Sequence, residues 1–321
     1  MLHLRPDRRA SRLLLLGAPL LLSCALPVAQ DRAQEPAEPE ASRAFDAGRA
    51  WKHLESLVGF GPRPSGSPEI EATRVYLEHA LQTLGLATRR ERFDAETPEG
   101  TITFQNVVAE LPGTDPEAPI LVLATHFDTK RLPFRFVGAN DGGSGTAVLL
   151  ELARCLRSRK APVTYRFLFL DGEEALRAKW ADEDNCYGSR HHVSESKRKG
   201  ELSRIGACVL LDMVGDKDLR LTAEGFSTAS LLAVFFDAAR ELGLGDKVGA
   251  SPRDLKDDHL RFLEAGVPSV DLIDFEYGFL NEHWHAPTDT LENCAPESLD
   301  AIGRIVLAGL PAVERFVLAK R

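Results

Sequence analysis

The chain has 321 residues, 44% of them hydrophobic and 7% aromatic, which fits one large α/β domain or two small ones. Its 48 acidic and 39 basic residues give a formal net charge of −9. That balance argues against a nucleic-acid surface, but not against a peptide substrate with a positive amino terminus.

Residues 1–30 read as an export signal. Arg5, Arg8, Arg9 and Arg12 form a basic front, and the apolar core at 13–22 is too short for an ordinary membrane anchor. Leu21-Leu22-Ser23-Cys24 resembles a bacterial lipobox. On that reading residues 1–24 are a lipoprotein-type signal and Cys24 carries the lipid. Residues 25–42, rich in Ala, Glu and Pro, are then a disordered tether, and 43–321 form the folded domain. Cleavage near Ala29 is the alternative. Both readings place the mature chain outside the cytoplasm, in the periplasm or beyond; on the first, a lipid on Cys24 is its sole membrane contact. None of the five cysteines is in CxxC spacing, which supports neither a zinc ribbon nor a thioredoxin motif. Cys155 and Cys208 lie in apolar stretches and read as buried thiols; a Cys186–Cys294 bridge stays open.

Phe45, Trp51, Leu54, Leu57 and Val58 fall at helical spacing. A Gly/Pro turn region at 59–67 follows, then a predicted helix over 68–84 that stops at Gly85. Residues 101–111 alternate and 119–127 are continuously apolar, so both read as strands. A helix over 144–157, a strand over 165–170 and a loop-rich stretch to Arg190 come next. Then follow a buried strand over 208–214, an amphipathic helix over 228–242, a short helix over 259–265 and a strand over 267–273. A closing helix spans 297–318, with Pro311 a candidate kink. There is no internal repeat. The alternation predicts an α/β single domain, with a mixed, mostly parallel central sheet and helices on both faces.

The chemistry gathers at strand ends. Phe167-Leu168-Phe169-Leu170 runs straight into Asp171-Gly172-Glu173-Glu174. The apolar half reads as a strand buried on both faces, as in the centre of a parallel sheet. Its acidic end falls where open α/β sheets place their ligands. Adjacent Glu173 and Glu174 should point differently, so one can bind a metal while the other moves protons. The bland alternative is a solvated acidic turn. Other strands end in His126-Phe127-Asp128 and Leu211-Asp212; a loop offers Asn140-Asp141, and His283-Trp284-His285 stands near the carboxyl end. Oxygen and imidazole ligands without thiolate suit zinc in a hydrolytic or Lewis-acid site.

In order, His126-x-Asp128, Gly138-Ala139-Asn140-Asp141, Asp171-Gly172-Glu173-Glu174, Asp212 and His285 resemble the bacterial-type zinc aminopeptidases of family M28. A narrower resemblance is to the glutaminyl-peptide cyclotransferases, the animal-type glutaminyl cyclases on the same fold. It rests on Phe169 to Ala175 followed by Trp180, Tyr187-Gly188-Ser189-Arg190-His191, Asp257-Asp258-His259, Phe262-Leu263, Gly266-Val267-Pro268 and Trp284-His285. The resemblance implies Asp141, Glu174 and His285 as ligands of one zinc, and Glu173 as general acid/base. It implies Asp212 and Asp257 as a hydrogen-bonded carboxylate pair beside Glu173, orienting the substrate amine. Trp180 and Trp284 become pocket walls. In the two-metal aminopeptidases, the counterparts of His126 and Asp212 hold a second zinc, with Asp141 bridging and Asp128 orienting His126. Peptide or protein amino termini are the implied partners, and a monomer the implied state.

Simpler roles compete. The tryptophans could be ordinary core or surface aromatics, and Asp258 could cap the short helix that follows it. His191, His192 and His259 read as structural. Gly142, Gly143 and Gly145 lack the lysine of a phosphate loop. The chain has one more residue between Glu174 and Trp180 than the animal pattern, and its loop at 140–145 is aminopeptidase-like. These departures keep an aminopeptidase as the second reading.

Overall fold

The computed structural model describes residues 44–319. The signal, Cys24 and the tether expected at 1–42 lie outside the described residues.

Two helices open the fold: α1 (Ala47–Gly59) and α2 (Pro68–Thr83). Asp46 caps α1 by accepting Arg49 N–H; Ser67 caps α2 by accepting Ile70 N–H, with Pro68 in its first turn. A hairpin follows, β1 (Thr88–Thr97) and β2 (Gly100–Leu111). Then come β3 (Ile120–His126), α3 (Gly145–Leu156), β4 (Thr164–Leu170), α4 (Tyr187–Arg198) and β5 (Ile205–Asp212). A small parallel pair, β6 (Leu221–Glu224) and β7 (Val248–Arg253), flanks α5 (Ala229–Glu241). Last are α6 (His259–Glu264), β8 (Ser269–Ile273) and α7 (Pro296–Leu318).

The main sheet has the order β1-β2-β4-β3-β5-β8. β4, β3, β5 and β8 pair in parallel, and β1 and β2 add antiparallel at one edge. One face packs on α1, α2, α3, α5 and α7 through the larger apolar cluster; α4 and α6 cover the other. The mixed, mostly parallel sheet with two covered faces is as the alternation predicts.

Several expectations need correction. β4 is buried on both faces, but it lies between antiparallel β2 and parallel β3. The inner strands of the parallel part are β3 and β5. The loop-rich stretch to Arg190 gives way to α4 already at Tyr187. Cys186 and Cys294 are both free thiols. β1 was not foreseen because it is a charged edge strand with Glu91 its single buried residue, so it carries no apolar signal.

The topology fixes where a ligand can bind. From β3 the chain crosses to β4 on one side, then returns past β3 to β5 on the other. The switch point is therefore the carboxyl end of β3, where His126 stands.

Candidate metal centre and substrate pocket

The carboxyl ends of β3, β4 and β5 deliver His126, Asp171 to Glu174, and Asp212 to one edge. Asp141 arrives on a tight turn at Ala139–Ser144, where Asp141 (φ −79°, ψ 105°) and Gly142 (φ 80°) leave helical geometry. A Cβ at Gly142 would lie 2.5 Å from Asp128 O and 3.0 Å from His126 Cε1, so only glycine fits beside the ligand. His285 comes from the loop before α7 and holds φ 51°, a strained value for a non-glycine residue.

These residues converge. One ligand atom from each of Asp141, Glu174 and His285 lies within 4.8 Å of the others. His285 Nε2 is 3.0 Å from Glu174 Oε1 and 3.3 Å from Asp141 Oδ2. A second set shares Asp141: His126 Nε2 is 3.0 Å from Asp212 Oδ1 and 3.3 Å from Asp141 Oδ1.

Their surroundings suit a cation. Glu174 Oε2 is buried and accepts no hydrogen bond, with Lys130 Nζ 3.5 Å away; His126 Nδ1 is likewise buried and unbonded. Burial alone would lower the His285 imidazole, but Glu174 and Asp141 reverse that and raise it to about 10. A carboxylate field that holds a proton so firmly also attracts a metal ion. Two carboxylates and an imidazole match a catalytic zinc donor set with one position left for substrate.

Two further carboxylates hold the ligand backbone. Asp128 accepts Glu173 N–H (3.1 Å) and Glu174 N–H (3.3 Å), and its Oδ1 is 3.5 Å from His126 Nδ1. Asp289 accepts Asn140 N–H (2.7 Å), Asp141 N–H (3.1 Å) and the Tyr277 hydroxyl (3.1 Å).

A cavity of about 370 Å³ opens on this centre. Its lining brings together Asp141, Glu174, His285, Glu173, Asp212 and Asp257, with Trp180 and Trp284. Trp284 stacks on His285 with ring centroids 4.2 Å apart, and Phe275 packs against Trp284 at a tilt, with centroids 5.1 Å apart. Burial pushes the Glu173 carboxyl well above the carboxylate range. The His126 imidazole opposes that rise, and the charges of Glu174, Asp257 and Asp258 add to it.

The expected Asp212–Asp257 pair takes a different form. Both residues line the cavity, but Asp212 bonds His126, while Asp257 accepts Asp258 N–H and lies in a cluster with Glu173 and Cys186. Asp258 is not a side-chain cap: its carboxylate accepts the Ser189 hydroxyl. His192 bonds Glu91, and His191 stacks on Phe93.

Sequence reasoning missed Asp289, Lys130, Cys186 and Asp271. Asp271 had a readable signal, a lone acid inside the apolar strand β8 where every residue is buried. Asp289 and Lys130 lie in loops, where an acid or a lysine is ordinary.

The profile of Peptidase family M28 matches residues 106–310. A glutaminyl-peptide cyclotransferase-like protein of Mus musculus is 34% identical over 279 residues, covering 76% of this chain and 70% of the relative. The crystal structure of an Acidobacteriales bacterium glutaminyl cyclase is similar at a TM-score of 0.80 and 32% identity, covering 84% of this chain and 95% of that one. That of Porphyromonas gingivalis glutaminyl cyclase follows at 0.76 and 29%, covering 84% and 99%. The chain belongs to peptidase family M28, on its glutaminyl-peptide cyclotransferase branch.

Proposed function

We propose that the protein is a zinc-dependent glutaminyl-peptide cyclotransferase, converting amino-terminal glutamine to pyroglutamate with release of ammonia. The observation that carries this reading is the single cavity in which Asp141, Glu174 and His285 meet Glu173, Asp257 and the tryptophans Trp180 and Trp284.

Asp141, Glu174 and His285 would hold the ion. An ion held there would supply Lewis acidity toward the γ-carboxamide carbonyl of the substrate glutamine. Asp257 and Asp212 face the same space and orient the α-amine toward that carbon. Glu173 accepts a proton from the attacking amine and delivers it to the departing ammonia. Five-membered ring closure needs the side chain folded back on its own amine. Trp180 and Trp284 restrict that freedom, so orientation supplies much of the rate. The same aromatic walls keep water from the carboxamide, which suppresses plain deamidation.

The test is incubation with a Gln-initiated dipeptide. Ammonia should be released while the peptide bond stays intact; release of free glutamine would reject the reading. A zinc aminopeptidase is the second reading, favoured by the His126–Asp141–Asp212 set that shares Asp141 with the first. It predicts amino-acid release and two ions per chain.

We also propose that residues 1–24 direct export, that 43–321 form the catalytic domain, and that the enzyme works as a monomer held to a bacterial membrane by a lipid on Cys24. Labelled palmitate should enter the wild type and not Cys24→Ser; no label in either would remove the anchor.

A further inference from the structure

Behind the pocket, Asp257, His259 and Asp271 each place one ligand-type atom within 4.8 Å of the others, and all three are buried. Asp271 stands in the middle of β8 and is 0% exposed. Neither of its oxygens meets a hydrogen-bond donor, nor does Asp257 Oδ2. His259 Nδ1 is 3.8 Å from Asp271 Oδ2, beyond hydrogen-bond reach, and its Nε2 faces Glu224 Oε2 at 3.2 Å. Glu224 is itself fixed by the N–H groups of Phe226, Ser227 and Leu255 and by the Ser227 hydroxyl. The negative groups around Asp271 are thus Asp257, Asp212 and Glu224, and the one basic side chain in this cluster, His259, is turned toward Glu224.

Two ionised carboxylates this close, with no protein donor between them, would repel by several kcal/mol. The contact closes when one of them keeps its proton. Asp271 is the deeper of the two, while Asp257 opens on the cavity. From this arrangement we infer that Asp271 is a buried carboxylic acid whose O–H donates to the Asp257 carboxylate and fixes its orientation toward the substrate amine. Burial, then the charges of Asp257, Asp212 and Glu224, hold the Asp271 carboxyl well above the carboxylate range, in keeping with that role. Asp271 is a positioning residue and touches no substrate. The inference rests on the proposed role of Asp257 in cyclisation.

A proton-bearing Asp271 has a distinctive consequence. An asparagine there keeps a donor toward Asp257 at the same volume, so Asp271→Asn should preserve the contact. Asp271→Ala removes the donor and leaves Asp257 unheld. With a Gln-initiated dipeptide, Asp271→Asn should retain kcat within about threefold. Asp271→Ala should lose on the order of 10- to 100-fold in kcat, the scale of a slightly misplaced group. Infrared difference spectra of the whole enzyme, wild type minus Asp271→Asn, should show the carbonyl stretch of one protonated carboxyl group. That readout is independent of turnover, so it separates this inference from the cyclase reading. A wild type that makes no pyroglutamate would sink the cyclase reading alone. Absence of the infrared band would overturn the inference. So would an asparagine variant as impaired as the alanine one, or one that loses an equivalent of bound metal, because Asp271 would then act as an anion.

Discussion

The Asp289 carboxylate accepts the backbone N–H of Asp141 at 3.1 Å, across 148 residues of chain. Its other oxygen takes Asn140 N–H, and the Tyr277 hydroxyl supports it from below. Asp289 therefore sets the turn that aims Asp141, without itself joining the ligand cluster. Asp289→Ala should weaken metal binding by about 10- to 100-fold, as loss of an outer partner typically does. Competition with a chromophoric chelator reads this directly. Unchanged affinity would show that Gly142 and the turn geometry suffice to place Asp141.

Glu173 and Glu174 are neighbours that the chain sends to different partners. Glu174 Oε1 meets His285, while Glu173 lies with Asp257. Asp128 grips both backbone N–H groups and so fixes the divergence. Glu173→Gln keeps shape and removes the base. It should lower kcat by about 10³-fold, within the range of general acid–base contributions, with metal content unchanged. An active Glu173→Gln enzyme would take the proton-transfer role away from this residue.

Much of the centre was legible because acids that end apolar strands are conspicuous. β3, β4 and β5 carry apolar runs, and the residues at or just past their carboxyl ends are the ones that meet. His285 stood out in the sequence only as part of His283-Trp284-His285, and the family resemblance singled it out as the ligand, since it comes from a loop. β1 was hidden because an edge strand can carry Arg89, Arg90 and Arg92 on a half-solvated ribbon, where alternation of apolar residues is not required. Asp289 was hidden for another reason. Its role depends on Asn140 and Asp141, far away in the chain, and only the closed fold brings them near.

Arg63 is fully buried, and its guanidinium donates to Phe127 O (2.7 Å), Val137 O (2.6 Å) and Gly138 O (2.9 Å). It ties the loop after β3 to the turn that carries Asp141. Removing it strands three buried carbonyls at once, and a lysine ammonium cannot span the same planar fork. Arg63→Ala should cost about 3 kcal/mol or more of unfolding free energy, given the strength of charge-assisted hydrogen bonds. Arg63→Lys should recover only part of it. Urea titration measures both; a loss under about 1 kcal/mol for Arg63→Ala would mean that the carbonyls find other partners.

Glu224 gives a pH prediction away from the metal ligands. Burial by itself would raise its carboxyl. The contact with His259, the N–H groups of Phe226 and Leu255 and the Ser227 hydroxyl overcome that and bring it from 4.5 down to about 2. A carboxyl that is more acidic folded than unfolded stabilises the fold above its unfolded value. That contribution is present above pH 4.5 and is lost as pH falls from there through about 2. The urea midpoint of the wild type should therefore fall as pH is lowered across this window. Glu224→Gln removes the titrating group, so it should be less stable at neutral pH and its midpoint should fall less steeply with acid. Parallel slopes for the two proteins would assign the acid sensitivity to other carboxylates.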